Sequence, residues 1–100
     1  MTQPLKALAA ANAVRLAHAE LRRDLAGMPR LSARARAADL VEAGQPSSMT
    51  LGMLLRAIPG IGRVYAASIA QRSGTSLDRR VGALSVRQRD LVAARLREQG

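Results

Sequence analysis

The sequence predicts an all-α fold, on three observations. Apolar residues recur at three- and four-residue spacings along the chain. Breaker-poor runs rich in Ala, Leu, Arg and Glu, all strong helix formers, alternate with short clusters of Gly, Pro and Ser. No segment alternates polar and apolar residues as a half-buried strand does.

Residues 5–27 form the first element, a long helix. Pro4 stands where a helix can begin, and Gly27 with Pro29 ends it. Its apolar face is weak, carried by Leu5, Leu8, Leu16, Leu21 and Leu25 with Ala between them, so the helix is expected to dock over part of its length and project over the rest. A second helix is predicted from about Ser32, its cap, to Ala43. It has little to bury beyond Leu40 and Val41, and Arg30, Arg34 and Arg36 make it basic.

The third helix is the clearest: Leu51, Leu54, Leu55 and Ile58 lie at i, i+3, i+4 and i+7. Thr50 or Ser48 caps it and Pro59-Gly60 stops it. A fourth helix follows from Gly62 to about Arg72, with Ile61, Tyr65 and Ile69 spaced by four and Gly74 as its C-terminal glycine. Leu77, Val81 and Leu84 anchor a short helical turn. The last helix opens on Ser85-Val86-Arg87-Gln88, a Ser-x-x-Gln capping box, and continues through Leu91, Val92 and Leu96.

Composition bounds the function. One hundred residues allow one small core, and twenty of the 48 hydrophobic residues are Ala. There is no Cys and a single His, His18, which excludes disulfides, thiolate metal sites and Cys nucleophiles and leaves no basis for a His-rich metal centre. The expected function is therefore not enzymatic, and no cofactor is expected. No run approaches the roughly 18 consecutive apolar residues of a membrane span, and the start of the chain lacks a targeting pattern, so the expected location is the cytoplasm.

Sixteen basic against seven acidic residues give a net charge of +9, and fifteen of the sixteen are Arg. A short chain with that excess implies a polyanionic partner, most often nucleic acid. The Arg bias has two readings, a GC-rich genome or selection for guanidinium groups; in either case these groups fork onto phosphates and base edges as an ammonium does not. Tyr65 is the single aromatic residue, so no platform exists for stacking unpaired bases, and a duplex is the expected partner.

The stretch Gly44-Gln45-Pro46-Ser47-Ser48 divides the chain. Residues 1–46 carry net +3 and are expected to form an N-terminal helical extension; residues 47–100 carry net +6 and the denser set of large apolar residues, and are expected to be the functional module. Two constellations stand out in that module. In Ile58-Pro59-Gly60-Ile61-Gly62-Arg63, two glycines around an aliphatic residue let the backbone turn sharply, with Ile61 directed into the core. The next helix then presents free amides to an anion, beside the charge of Arg63. An ordinary helix–helix turn is the competing reading. In Asp78-Arg79-Arg80-Val81-Gly82, the anchored Leu77, Val81 and Leu84 leave Arg79 and Arg80 pointing outward; a solvated Arg pair partly neutralised by Asp78 is the alternative. Arg87 and Arg97 share the outer face of the last helix with Asp90, with Arg87 the better candidate because it begins the helix; i, i+3 pairing is the alternative.

Thr50-Leu51-Gly52-Met53-Leu54-Leu55-Arg56-Ala57-Ile58-Pro59-Gly60-Ile61-Gly62-Arg63, with Ser68-Ile69 and Arg79-Arg80-Val81, resembles the actinobacterial type of integration host factor; Ala19-Glu20-Leu21-Arg22 with Leu25 resembles that family's long first helix. The resemblance covers most of the chain and is most specific over residues 50–97. It implies a nucleoid-associated protein with a helix-two-turns-helix module (helix-hairpin-helix-like), a fold shared with one small-subunit ribosomal protein and with formamidopyrimidine-DNA glycosylases. The β-ribbon integration host factor that binds the minor groove shares the name and not the architecture. The family's glycine hairpin maps onto Gly60, Ile61 and Gly62 and its arginine cluster onto Arg79 and Arg80. The next basic position of that cluster is Gly82 here, so one expected contact is missing. Relatives imply that the first helix touches a second duplex, which Arg15 and Arg22, seven apart on one face, suit; a solvated face suits them equally.

The expectation is then a monomeric, largely sequence-nonspecific duplex binder that bends or organises DNA, with a site-specific recombinase at attachment sites as a further expected partner. A structured-RNA binder of ribosomal type and a helical interaction protein of a recombination complex are the alternatives. A DNA-repair enzyme is disfavoured: Lys6 is the sole lysine, Pro4 is not the first residue, and there are no zinc ligands.

Overall fold

The computed structural model describes residues 3–98, with side chains from Leu5 onward. Among the described residues five helices occur, α1 (Gln3–Ala26), α2 (Arg30–Glu42), α3 (Leu51–Arg56), α4 (Arg63–Arg72) and α5 (Val86–Arg97), with a 3-10 turn at Val81–Ala83 before α5. The extended backbone among them is limited to one isolated antiparallel bridge between Thr50 and Arg80. The all-α expectation holds.

Local chemistry sets most boundaries. Thr50 caps α3, its hydroxyl accepting from the Met53 amide at 3.2 Å. Ser85 and Gln88 form the complete capping box of α5: the Ser85 hydroxyl accepts from the Gln88 amide and the Gln88 side chain accepts from the Ser85 amide. Gly74, at φ +75°, ends α4 in a Schellman arrangement: Gly74 donates to the Gln71 carbonyl and Thr75 to the Ala70 carbonyl.

Four expectations need correction. First, α2 begins at Arg30, with Pro29 at its N-cap, and not at Ser32. Met28 turns straight back onto the Leu25 carbonyl, and Ala33 already donates to the Pro29 carbonyl at 2.9 Å, so Ser32 falls inside the first helical turn. Second, α2 is not a thinly buried basic helix. Ala33, Ala37, Ala38 and Val41 are buried and Leu40 is half-buried, because the small alanine face lets α2 pack closely along α5.

Third, Arg34 is buried, 7 % exposed. Its Nε donates to the Leu96 carbonyl at 2.9 Å, and its Nη2 donates to the Arg95 carbonyl at 2.9 Å and to the Tyr65 hydroxyl at 3.0 Å. The guanidinium also lies 5.5 Å from the Tyr65 ring centre. It satisfies the carbonyls that the last turn of α5 leaves without helical partners, so its charge is structural. Tyr65 accordingly sits at the edge of the core rather than within it. Fourth, Arg97 is not a free arginine of the outer face of α5: it pairs across to α2, bonding Asp39 at 2.8 Å and also Glu42. The Glu42 contact first, then Asp39, raises its pKa above the ordinary arginine value.

One apolar core joins α2 to α5, with the end of α1 closing it through Leu25. Leu54 and Leu55 of α3 are fully buried, each contributing about 1.5–3 kcal/mol. Gly44, which opens the breaker-rich stretch, and Met49, which follows it, are also buried, so the chain turns there against the shared core. The first helix docks over its second half only. Leu21 is half-buried, and His18 Nε2 lies 3.0 Å from the Ser48 hydroxyl, whereas Leu5, Leu8 and Leu16 are exposed. The molecule measures 53 × 28 × 22 Å, its length set by the projecting arm.

Candidate nucleic-acid interface

The glycine turn links α3 to α4. Ile58 ends the buried stripe of α3, and Gly60 adopts φ +88°, a left-handed conformation that side-chain-bearing residues avoid. Ile61 then drops into the core, 5 % exposed, its amide bonded to the Ile58 carbonyl. Gly62 is the N-cap of α4; a Cβ at this position would meet nothing within 4 Å. Its surroundings are open, and the protein's own packing does not require glycine there. Arg63 starts α4 and is exposed.

Arg79 and Arg80 lie on a strap bonded along the start of α3. The Leu51 amide donates to the Arg79 carbonyl at 2.9 Å, Gly52 to Leu77 at 2.9 Å, and Val81 back to Met49 at 2.9 Å. Val81 and Leu84 anchor the strap in the core, while both arginines are exposed. Among the described residues neither takes part in an ion pair. Their backbone is fixed and their charge is available to a partner.

An open cleft of about 850 Å³ runs between α1 and this module. Arg22 and Arg23 of α1 line one wall, and Arg56 of α3, Arg63 of α4 and Asp78 of the strap line the other, with Thr50, Gly52 and Met53 between. Four arginines and one aspartate thus line it. The cleft joins the two constellations, since Arg63 directly follows Gly62 and Asp78 directly precedes Arg79. It also places Arg22 of the first helix beside the functional module. Arg15 lies exposed on the arm, outside the lining. Arg87 is elsewhere, in a smaller cleft of about 370 Å³ with Arg72, Gly74 and Ser85.

Sequence reasoning passed over Arg23 and Arg56. The Arg22-Arg23 doublet was the available signal for the first. For Arg56, at the end of a six-residue helix, the charge alone did not reveal which wall it faces.

No protein-family model and no curated protein matches the chain. Among solved structures, the chain is similar to that of sIHF bound to an 8 bp palindromic DNA, with 31% sequence identity, a TM-score of 0.64, and coverage of 90% of this chain and 97% of that one. Identity at this level over nearly the whole of both chains agrees with the integration-host-factor resemblance of residues 50–63 and 79–81, and the chain belongs to the sIHF family.

Proposed function

We propose that this protein is a nucleoid-associated duplex DNA-binding protein of the actinobacterial integration-host-factor type, which bends or organises DNA with little sequence preference. The observation that carries the reading is the cleft lined by Arg22, Arg23, Arg56 and Arg63, with Arg80 bridged through its backbone to the lining residue Thr50. The solved relative is itself bound to duplex DNA. Phosphates of one strand enter the cleft, the open amide face around Gly62 receives the backbone, and Arg79 and Arg80 reach the neighbouring phosphates or groove. Contacts of this kind position a protein without reading sequence. Arg87 extends the footprint, and Arg15 with Arg22 provides contact along the first helix.

The protein acts without a cofactor and catalyses no reaction. It is monomeric when free, works in the bacterial nucleoid, and serves a site-specific recombinase at attachment sites by shaping the duplex. Replacing both Arg79 and Arg80 with Ala is expected to leave helicity unchanged and weaken binding to a random duplex about tenfold or more, as loss of two phosphate contacts requires. Gel shift with parallel circular dichroism checks this. A double variant that binds like the parent moves the site elsewhere, and preference for structured RNA over duplex DNA in competition replaces the reading with a ribosomal-type one.

A further inference from the structure

Arg30 opens α2, and its side chain lies against the glycine turn that precedes α4. A Cβ on Gly60 would stand 2.7 Å from the Arg30 Cδ, 3.6 Å from its Cγ and 3.5 Å from its Nη1. Glycine therefore does two things here. It adopts the left-handed φ of +88°, and it leaves room for the Arg30 stem to pack on the backbone. Gly62, two residues on, is open, and Arg63 after it is exposed. Packing accounts for the stem of Arg30 and leaves its charge unexplained. Arg30 is exposed, and among the described residues it takes part in no ion pair. Nor does the charge serve α2. The positive end of a helix dipole disfavours a cation at the first residue, and the first turn of α2 carries no acid. Arg34, one turn along, is spent on the carbonyls of α5, whereas the Arg30 guanidinium sits at the glycine turn.

We infer that Arg30 is a DNA-contact residue, its guanidinium holding the phosphate backbone where a strand passes the glycine turn. The inference rests on the duplex-binding reading and carries the contact surface beyond residues 47–100, to the start of α2. Arg63 follows Gly62 in the chain, and Arg30 reaches the same turn from a different element. A phosphate seated at the open Gly62 position thus has a cation supplied from each. Contact with Gly60 restricts the positions the Arg30 stem can take, so less side-chain freedom is lost when its guanidinium binds an anion. Being a phosphate contact, it adds affinity without adding sequence preference.

Three variants separate the charge of Arg30 from its packing, each titrated by gel shift on one random duplex at several salt concentrations. Arg30→Met keeps an unbranched stem over Gly60 and removes the guanidinium. It is expected to bind about threefold more weakly or worse, with a salt slope shallower by about one. Its thermal midpoint should match or exceed the parent's, because the lost cation opposed the helix dipole. Arg30→Lys, which keeps a charge on a similar stem, should retain the parent's slope and most of its affinity. Arg36→Met removes the same charge from an exposed position further along α2 and should leave the slope unchanged. Equal effects of Arg30→Met and Arg36→Met overturn the inference, since net charge alone then explains both. So does a parental slope in Arg30→Met. So does weakened binding in both Arg30 variants with lowered thermal midpoints, which makes Arg30 a packing residue of the turn. A parent protein that fails to shift the duplex removes the duplex-binding reading itself, an outcome distinct from all three.

Discussion

Gly82 shows how one position can depart from a family pattern for a physical reason. The resemblance led us to expect a basic residue there, next after Arg79, Arg80 and Val81. In the fold, a Cβ at Gly82 would stand 2.7 Å from the Ser47 Cβ and 2.9 Å from its Cα and carbonyl oxygen. The Gly82 amide donates to that same carbonyl at 3.1 Å, so the strap and the loop before α3 touch backbone to backbone. Restoring the charge with Gly82→Arg is expected to destabilise the protein by about 1–3 kcal/mol through overpacking, without tightening duplex binding; urea denaturation and gel shift measure the two effects. Arg34 is the converse, a cation with almost no free surface. Arg34→Ala removes three hydrogen bonds, two of them to carbonyls at the end of α5. A loss of about 3 kcal/mol is expected, read as a lower denaturation midpoint.

At the scale of elements, two serines separate apparent from actual helix starts. Ser85 and Gln88 exchange hydrogen bonds at 2.9 and 3.1 Å, and Ser85→Ala is expected to cost about 1 kcal/mol. Ser32 looks equally suited to capping in the sequence, yet α2 has already begun at Arg30. Ser32→Ala should therefore change stability by no more than about 0.5 kcal/mol, as an exposed substitution usually does; thermal melts of the two variants side by side test the assignment. The elements also differ in what sustains them. Helices α2 to α5 share one core, while the arm of α1 relies on the helix propensity of its Ala and Leu residues.

For the molecule as a whole, charge placement matters more than charge number. Arg34 and Arg97 are occupied within the fold by the α5 terminus and by Asp39 and Glu42. Arg22, Arg23, Arg56 and Arg63 line the cleft instead, and Arg79 and Arg80 follow its Asp78 in the chain. If about four to six phosphates are neutralised there, the logarithm of the binding constant should fall against the logarithm of salt concentration with a slope of roughly −4 to −5. Titration of one random duplex at several salt concentrations measures it, and a salt-independent complex refutes the phosphate mechanism.

The sequence by itself determined the all-α class, the caps at Ser85 and Gly74, the glycine turn, and the exposure of Arg79 and Arg80, because each follows from residues a few positions apart, and it narrowed the α3 cap to Thr50 or Ser48. Only the tertiary structure decided which arginines meet. Arg34 binds a carbonyl 62 residues away, Arg97 a carboxylate 58 residues away, and Arg23 reaches the cleft opposite Arg56 because α1 docks through Leu21 and Leu25. A guanidinium has the same local signature whether it caps a helix, pairs with an acid or faces a partner; the neighbour that packing brings to it sets its role.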